Sequence, residues 1–289
     1  MKPHSVNLRR EFAFNPARFL ATAIPRPTVV THAPAAEPAR PYPLADELRN
    51  LGLHGMAQTL DRLRGERSRG LPRFEDWLLS LVAGETASRQ QKRVTTRLQA
   101  AGLRYRAPLA DVDYNAPRGF DDALFHLLAA GHWIDNGDNL IIDGPTGVGK
   151  TWLACALGEK ACRDDRSVRY ERVSQLSAEL DTVRHTTRYT RRIRKLQRVD
   201  LLIIDDWGIE PFTAEQRHDL LEILEGRYDS GSTLVVSPVP VEHWPRVIGD
   251  PTVASEMLDR VIHNAHRLQL RGESLRDPQK MSPHGAAAA

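Results

Sequence analysis

No stretch of this 289-residue chain approaches the roughly 20 consecutive apolar residues of a membrane-spanning helix, so no membrane partner is expected. No hydrophobic core of a secretory signal is present either. Cysteine is nearly absent: Cys155 and Cys162 are the only two. Seven residues of helix would hold their Cα atoms roughly 10 Å apart, which excludes a disulfide between them. Both read as small core residues of a reduced, cytoplasmic protein. A strong charge of one sign is missing too, because the formal net charge is only +3. Residues 1–43 alone hold six Lys/Arg against two Glu, more than the whole chain's excess. Any case for nucleic acid must therefore rest on local clusters.

Those first 43 residues also hold eight of the 19 prolines and show no apolar period, which predicts a disordered tail. Their Arg-rich, acid-poor make-up has a faint likeness to a transit peptide; a flexible tail or an upstream extension is the plainer reading. Residues 277–289 read as a second disordered tail. From Leu44 the pattern turns helical. Leu44, Leu48, Leu51, Met56, Leu60 and Leu63 recur on one face, with Gly52 and Gly55 weakening its middle. Phe74, Trp77, Leu78, Leu81 and Val82 make a second stripe, and residues 85–103 read as a basic helix carrying Arg89, Lys92, Arg93 and Arg97. Pro108 and Pro117 then break the helical pattern. A small all-helical domain of residues 44–110, suited to partner or DNA contact, is thus expected before an α/β domain of residues 111–276.

In that second part, short β-like runs at residues 140–142, 167–170, 201–204, 233–237 and 267–270 alternate with helical segments. Alternation of this kind predicts an α/β fold with a parallel sheet and helices on both faces. Ligand then belongs at the carboxyl ends of the strands. Thr213 and Gln216 have the spacing of a capping box that starts the helix of Leu220, Leu221 and Leu224.

One run decides the chemistry. Gly144, Pro145, Thr146, Gly147, Val148, Gly149, Lys150 and Thr151 spell G-x-x-x-x-G-K-T between an apolar strand and a helix-like segment. The glycines let the backbone curl so that its N–H groups and the helix N-terminus surround phosphates. Lys150 is expected to reach the β- and γ-phosphates of ATP, and Thr151 to offer its hydroxyl to Mg²⁺. Residues 201–204 are four apolar residues that end in Asp205 and Asp206. A buried strand there delivers two carboxylates beside the phosphates. Asp205 suits the metal side, usually through a water. Asp206 suits the orientation or deprotonation of an attacking water, which marks a hydrolase.

Residues 184–198 contain seven Lys/Arg and no acid. At helical spacing Arg184, Arg188, Arg191, Lys195 and Arg198 fall on one face, and Ile193 and Leu196 can pack inward. A charge run is ordinarily a solvated face, but an unmixed basic stripe repels itself unless an anion neutralises it. Tyr189 alone offers a base any stacking surface. The stripe therefore points to sequence-independent contact with duplex phosphates, to which residues 85–103 could add a second.

Taken together, these motifs carry a resemblance. The chain resembles the IstB-like transposition helper ATPases, relatives of the DnaC-type helicase loaders in the AAA+ group. Carrying it are Leu51-Gly52-Leu53-His54-Gly55-Met56-Ala57, the run from Gly144 through Gly158, Asp205-Asp206-Trp207-Gly208 and Ala214-Glu215-Gln216-Arg217. Further on come Ile248-Gly249-Asp250-Pro251-Thr252, Leu258-Asp259-Arg260 and His263-Asn264-Ala265-His266-Arg267. The match runs from about residue 44 to Arg276, and the later motifs in this order are what make it specific.

The resemblance implies a P-loop AAA+ domain that binds ATP and Mg²⁺, forms homo-oligomers, grips duplex DNA and serves a separate transposase. It makes Arg260 the candidate arginine finger, acting in trans at a neighbouring subunit's γ-phosphate. The bland role for Arg260 is a salt bridge to Asp259 or Glu256. Two departures stand out. The family usually has Asn or Gln after the Ser/Thr closing the fourth strand, as a γ-phosphate sensor. Here Ser237 precedes Pro238, which has no amide to offer, so the role falls on Ser237. Only 19 residues follow Leu270, too few for a helical lid. No carboxylate trio for cutting DNA is visible, so the chain is not expected to be the transposase itself. A DnaC-type loader of a replicative helicase is the alternative, and an adaptor that binds ATP only structurally is a third.

Overall fold

The computed structural model describes residues 43–65, 73–114, 119 and 121–275. The two expected disordered tails, Pro43 apart, and Pro117 lie outside these residues. Three helices come first: α1 (Leu44–Asn50), α2 (His54–Gly65) and α3 (Phe74–Ala101). The apolar stripe of residues 44–63 is thus split by a turn at Leu51 and Gly52. The second stripe and the basic segment are instead one continuous helix of 28 residues.

Gly52, at φ +74°, makes the turn, and Gly55 and Gly84 let the two longer helices meet. Where α2 crosses α3, a Cβ on Gly55 would stand 2.4 Å from the Gly84 carbonyl oxygen, and one on Gly84 would stand 2.0 Å from Thr59 Oγ1. Gly84 therefore does not break α3; it lets α2 lie against it. One residue on, the buried Glu85 carboxylate accepts the α2 amides of Gly55 at 2.8 Å and Met56 at 3.2 Å. These are orphan donors of a helix start. The hydrogen bond from Arg89, followed by those two amides, holds the Glu85 carboxyl below its ordinary value despite some desolvation.

The rest is one sheet with helices on both faces. Its strands are β1 (Asn139–Asp143), β2 (Val168–Arg172), β3 (Leu201–Asp205), β4 (Ser232–Ser237) and β5 (Ala265–Gln269). All pairings are parallel, in the order β2-β3-β4-β1-β5. Each β-like run expected from the sequence is present, with ends moved by one or two residues. Leu140, Ile142, Leu201, Ile203, Leu234 and Val236 face one layer. That layer holds α4 (Asp122–Ala130), α5 (His132–Asp135) and α6 (Lys150–Arg163). Ile141, Leu202, Ile204 and Val235 face the other layer. It holds α7 (Val173–Val183), α8 (Thr187–Gln197), α9 (Ala214–Glu225), α10 (Trp244–Ile248) and α11 (Pro251–Ile262). Two-sided burial is why these strands read as continuous apolar runs and not as alternating ones.

The core accounts for several expectations. Cys155 and Cys162 are free and fully buried on α6, and burial pushes the Cys162 thiol up to about 11. Thr213 and Gln216 form the expected capping box of α9. Arg227, only 2% exposed, donates to the carbonyls of Leu196, Val199 and Ser232 at 2.7, 2.8 and 2.5 Å. Among the described residues no carboxylate is a hydrogen-bond partner of it, and burial pulls its pKa down to about 10. Among the described residues no helix is long and apolar enough to cross a membrane.

Because the folded pKa of Glu85 is depressed, its contribution is fully present above the free-carboxyl range and is lost as pH falls through the folded value. Amide exchange at Gly55 and Met56 should therefore speed up on acidification below the free-carboxyl value of 4.5. In Glu85→Gln that acid step should vanish. An identical acid step in the variant would assign it to another group.

Candidate functional site

Gly144 to Gly149 bridge the end of β1 and the start of α6, so the loop emerges where the sheet ends and a helix N-terminus begins. Its lysine is folded onto it: Lys150 Nζ donates to the carbonyls of Gly144 and Pro145, both at 2.7 Å. A cavity of about 500 Å³ lies over the loop, lined by Thr146, Gly147, Gly149, Lys150 and Thr151. Asp205 and Asp206 enter it from the end of β3, and Arg104, Tyr105 and Leu275 also line it. The structure thus brings the phosphate loop and both aspartates to one place.

Asp205 is buried at 1% exposure and its oxygens are fully engaged. Oδ2 accepts from Thr151 Oγ1 at 2.9 Å and from the Tyr170 hydroxyl at 2.6 Å. Oδ1 accepts the Asp206 amide at 2.8 Å. Burial, followed by Asp205 itself, pushes the Tyr170 phenol well above its ordinary value, so it stays a donor. A hydroxyl and a carboxylate side by side at the head of α6 are hard oxygen donors, and they fit Mg²⁺. Among the described residues no group of three His, Cys, Asp or Glu offers an all-protein cage.

Asp206 sits at φ +61°, a left-handed conformation that a non-glycine residue rarely adopts. The strain is held in place on both sides. Arg172 Nε donates to Asp206 Oδ2 at 2.6 Å. The next residue, Trp207, is wedged between Phe212 and Trp244, and its amide donates to the Val236 carbonyl at 3.0 Å. Neither Tyr170 nor Arg172 was expected from the sequence. The signal was there in the strand register, since Arg172 pairs with Asp205 across β2 and β3.

Ser237 lies elsewhere than its expected role requires. It is fully buried, and its hydroxyl is 2.8 Å from the Trp207 carbonyl, 2.9 Å from the Val239 carbonyl and 3.0 Å from the Val239 amide. Its neighbours Val236 and Pro238 line the cavity, and Ser237 does not. What its hydroxyl touches is the turn that carries Asp206. Arg260 is remote in another sense. Its carbonyl accepts from Asn139 Nδ2 at 2.9 Å, at the amino end of β1. A five-residue strand of roughly 15 Å separates that end from the phosphate loop. Its guanidinium lies 4.7 Å from the Tyr228 ring centroid and 3.0 Å from Asp259. Arg260 cannot serve the site of its own chain.

The basic stripe is shorter than expected. Arg184 follows the end of α7, Thr186 caps a new helix, and only α8 carries the rest. Arg184 turns inward to a bidentate bridge with the buried Asp219, at 2.8 and 2.7 Å, and also meets Asp181. Arg192 is likewise paired, with Glu171 and Glu179. Arg188, Arg191, Lys195 and Arg198 are exposed, as is Arg194, and none has a carboxylate partner among the described residues. Arg191, Arg194, Lys195 and Arg198 line one side of an open groove of about 780 Å³. On α3, by contrast, Arg89 and Arg97 are tied to Glu85 and Asp165.

With loop and aspartates together at the carboxyl ends of a parallel sheet, the chain is a P-loop ATP-binding protein. It belongs to the IstB-like ATP binding proteins, whose family model matches residues 46–283. It is 50% identical over 239 residues to the insertion sequence ATP-binding protein y4pL of Sinorhizobium fredii (strain NBRC 101917 / NGR234), covering 83% of this chain and 98% of that one. The insertion sequence IS21 ATP-binding protein of Pseudomonas aeruginosa is 30% identical over 207 residues, 72% of this chain and 78% of that one. The solved DnaI structure matches 57% of this chain and 91% of its own at TM-score 0.49 and 22% identity.

Two substitutions separate the loop from the aspartate. Lys150→Ala should weaken ATP binding by about 10- to 100-fold, the worth of a charge-assisted contact to phosphate. Asp206→Asn should keep ATP affinity and slow phosphate release. Calorimetry and steady-state phosphate assays read the two, and equal loss of affinity in both variants would refute this division.

Proposed function

We propose that this chain is an ATP-dependent helper of transposition. It assembles with copies of itself on duplex DNA, hydrolyses ATP at subunit junctions, and recruits or activates a separate transposase. The observation that carries the reading is the row of unpaired cations along α8, on the same chain as an ATP site. The relatives named for insertion sequences support the transposition part.

The roles derive from the geometry. Loop amides and Lys150 take the phosphates, and Thr151 and Asp205 would hold Mg²⁺, which offsets charge on the β- and γ-phosphates when bound. Asp206, fixed by Arg172, orients or deprotonates the attacking water. Arg260 serves a neighbour's γ-phosphate, because its own is out of reach. Arg188, Arg191, Lys195 and Arg198 touch backbone phosphates, so binding carries little sequence preference. Residues 44–110 contact the transposase, and exposed Phe74, Leu78, Leu79 and Val82 on α3 give them an apolar face for it.

Replacing Arg188, Arg191 and Lys195 with Gln should weaken duplex binding for all sequences alike. The salt slope should shrink by up to about 0.9 for each DNA phosphate no longer neutralised, with ATP affinity unchanged. Wild-type affinity and slope in that triple variant would reduce α8 to a solvated face.

Arg260→Ala and Asp206→Asn subunits, each poorly active alone, should recover part of the ATPase rate when mixed. A mixed junction can then pair an intact Asp206 with a donated Arg260. Verified co-assembly with no recovery at any ratio would count against the finger.

A further inference from the structure

After β5 the chain does not leave the site; it turns back over the phosphate loop. Leu270 donates its amide to the Asp143 carbonyl at 2.8 Å, and Leu275 donates its amide to the Gly147 carbonyl at 3.0 Å. Between these two bonds Ser274 presses on the loop. A Cβ on Gly147 would stand 2.1 Å from Ser274 Oγ and 3.1 Å from Ser274 Cα. Gly147 also has φ +92°, so its position demands glycine twice over. The Leu275 residue itself lines the nucleotide cavity.

We propose that residues 271–275 are a strap that sets the phosphate loop in its binding form, with the Leu275 amide as the positioning group. The proposal rests on the ATP reading of the cavity. A peptide unit is planar and trans, so the Gly147 carbonyl and the Val148 N–H point in opposite directions. Drawing that carbonyl onto Leu275 turns the Val148 N–H the other way, away from the strap and toward the inside of the loop. The flanking Gly147 and Gly149 line the nucleotide cavity, so the inner side of the loop is where an anion would lie. A phosphate oxygen is the acceptor that such a loop and helix N-terminus favour. Without the strap, the freedom of Gly147 lets the peptide rotate and offer a carbonyl where an anion must sit. A donor fixed in advance loses no order when the ligand arrives.

Leu275→Pro removes the amide and keeps the chain, while Leu275→Ala keeps the amide and removes the side chain. Tripolyphosphate with Mg²⁺ has neither base nor ribose, so it reads the loop alone; MgATP reads the whole site. Calorimetry with both probes should find that Leu275→Ala binds tripolyphosphate more tightly than Leu275→Pro does. Leu275→Pro should bind both probes about tenfold more weakly, and a chain stopped after Arg271 should match it. Melting temperatures of the unliganded proteins should agree, because the strap follows the last strand. If Leu275→Pro and the shortened chain bind both probes like wild type, the strap is overturned and the ATP site stands. Equal loss of tripolyphosphate in Leu275→Ala and Leu275→Pro also overturns it, by assigning the effect to the side chain. A wild-type chain that binds neither probe overturns the ATP reading and the strap together.

Discussion

A carboxylate buried at the end of β3 is the constraint on which the site depends. Asp205 is almost wholly removed from water, and a charge so placed is tolerated only when every oxygen is engaged. Its donors come from three elements: Tyr170 of β2, Thr151 of α6 and the next amide of its own chain. Tyr170 reaches it only if β2 and β3 keep their register. Thr151 reaches it only if the phosphate loop delivers α6 to the same edge of the sheet. Sheet order, loop position and the Thr151–Asp205 contact are therefore one requirement met once, and an error in any of them strands a buried charge.

Patterns repeated along the chain were legible in the sequence, and pairings across it were not. The three central strands, β1, β3 and β4, were visible because two-sided burial leaves apolar runs. The phosphate loop was visible because its glycines, lysine and threonine must be consecutive. Arg172 and Tyr170 were missed since neither belongs to a local motif; only the alignment of β2 beside β3 gives them a role. Ser237 was placed at the phosphates by its position at a strand end, yet the direction of a side chain at such an end depends on the turn beyond it. Gly55 misled for a related reason. In one helix a glycine weakens the period, and in two crossing helices it is the point of contact.

The basic segment shows the same limit most clearly. Spacing put Arg184 in line with Arg188, Arg191, Lys195 and Arg198, because an ideal helix was assumed to run through all of them. Thr186 starts a new helix instead, and the buried Asp219 on α9 takes the Arg184 guanidinium as its partner. A count of like charges treats every arginine as equal. In the folded chain the inward ones neutralise buried acids, and only the remainder is left for a ligand.

Arg227 gives this arrangement a mechanical consequence. Its guanidinium binds the carbonyls of Leu196 and Gln197 at the end of α8, then those of Val199 and Asp200 on the way into β3 and of Ser232 in β4. The basic helix is thereby pinned at its carboxyl end to the roots of two central strands. A pull on α8 cannot peel it away one turn at a time from that end; the load passes into β3 and β4, whose far ends are Asp205 and Ser237. The helix behaves as a lever with its fulcrum in the core.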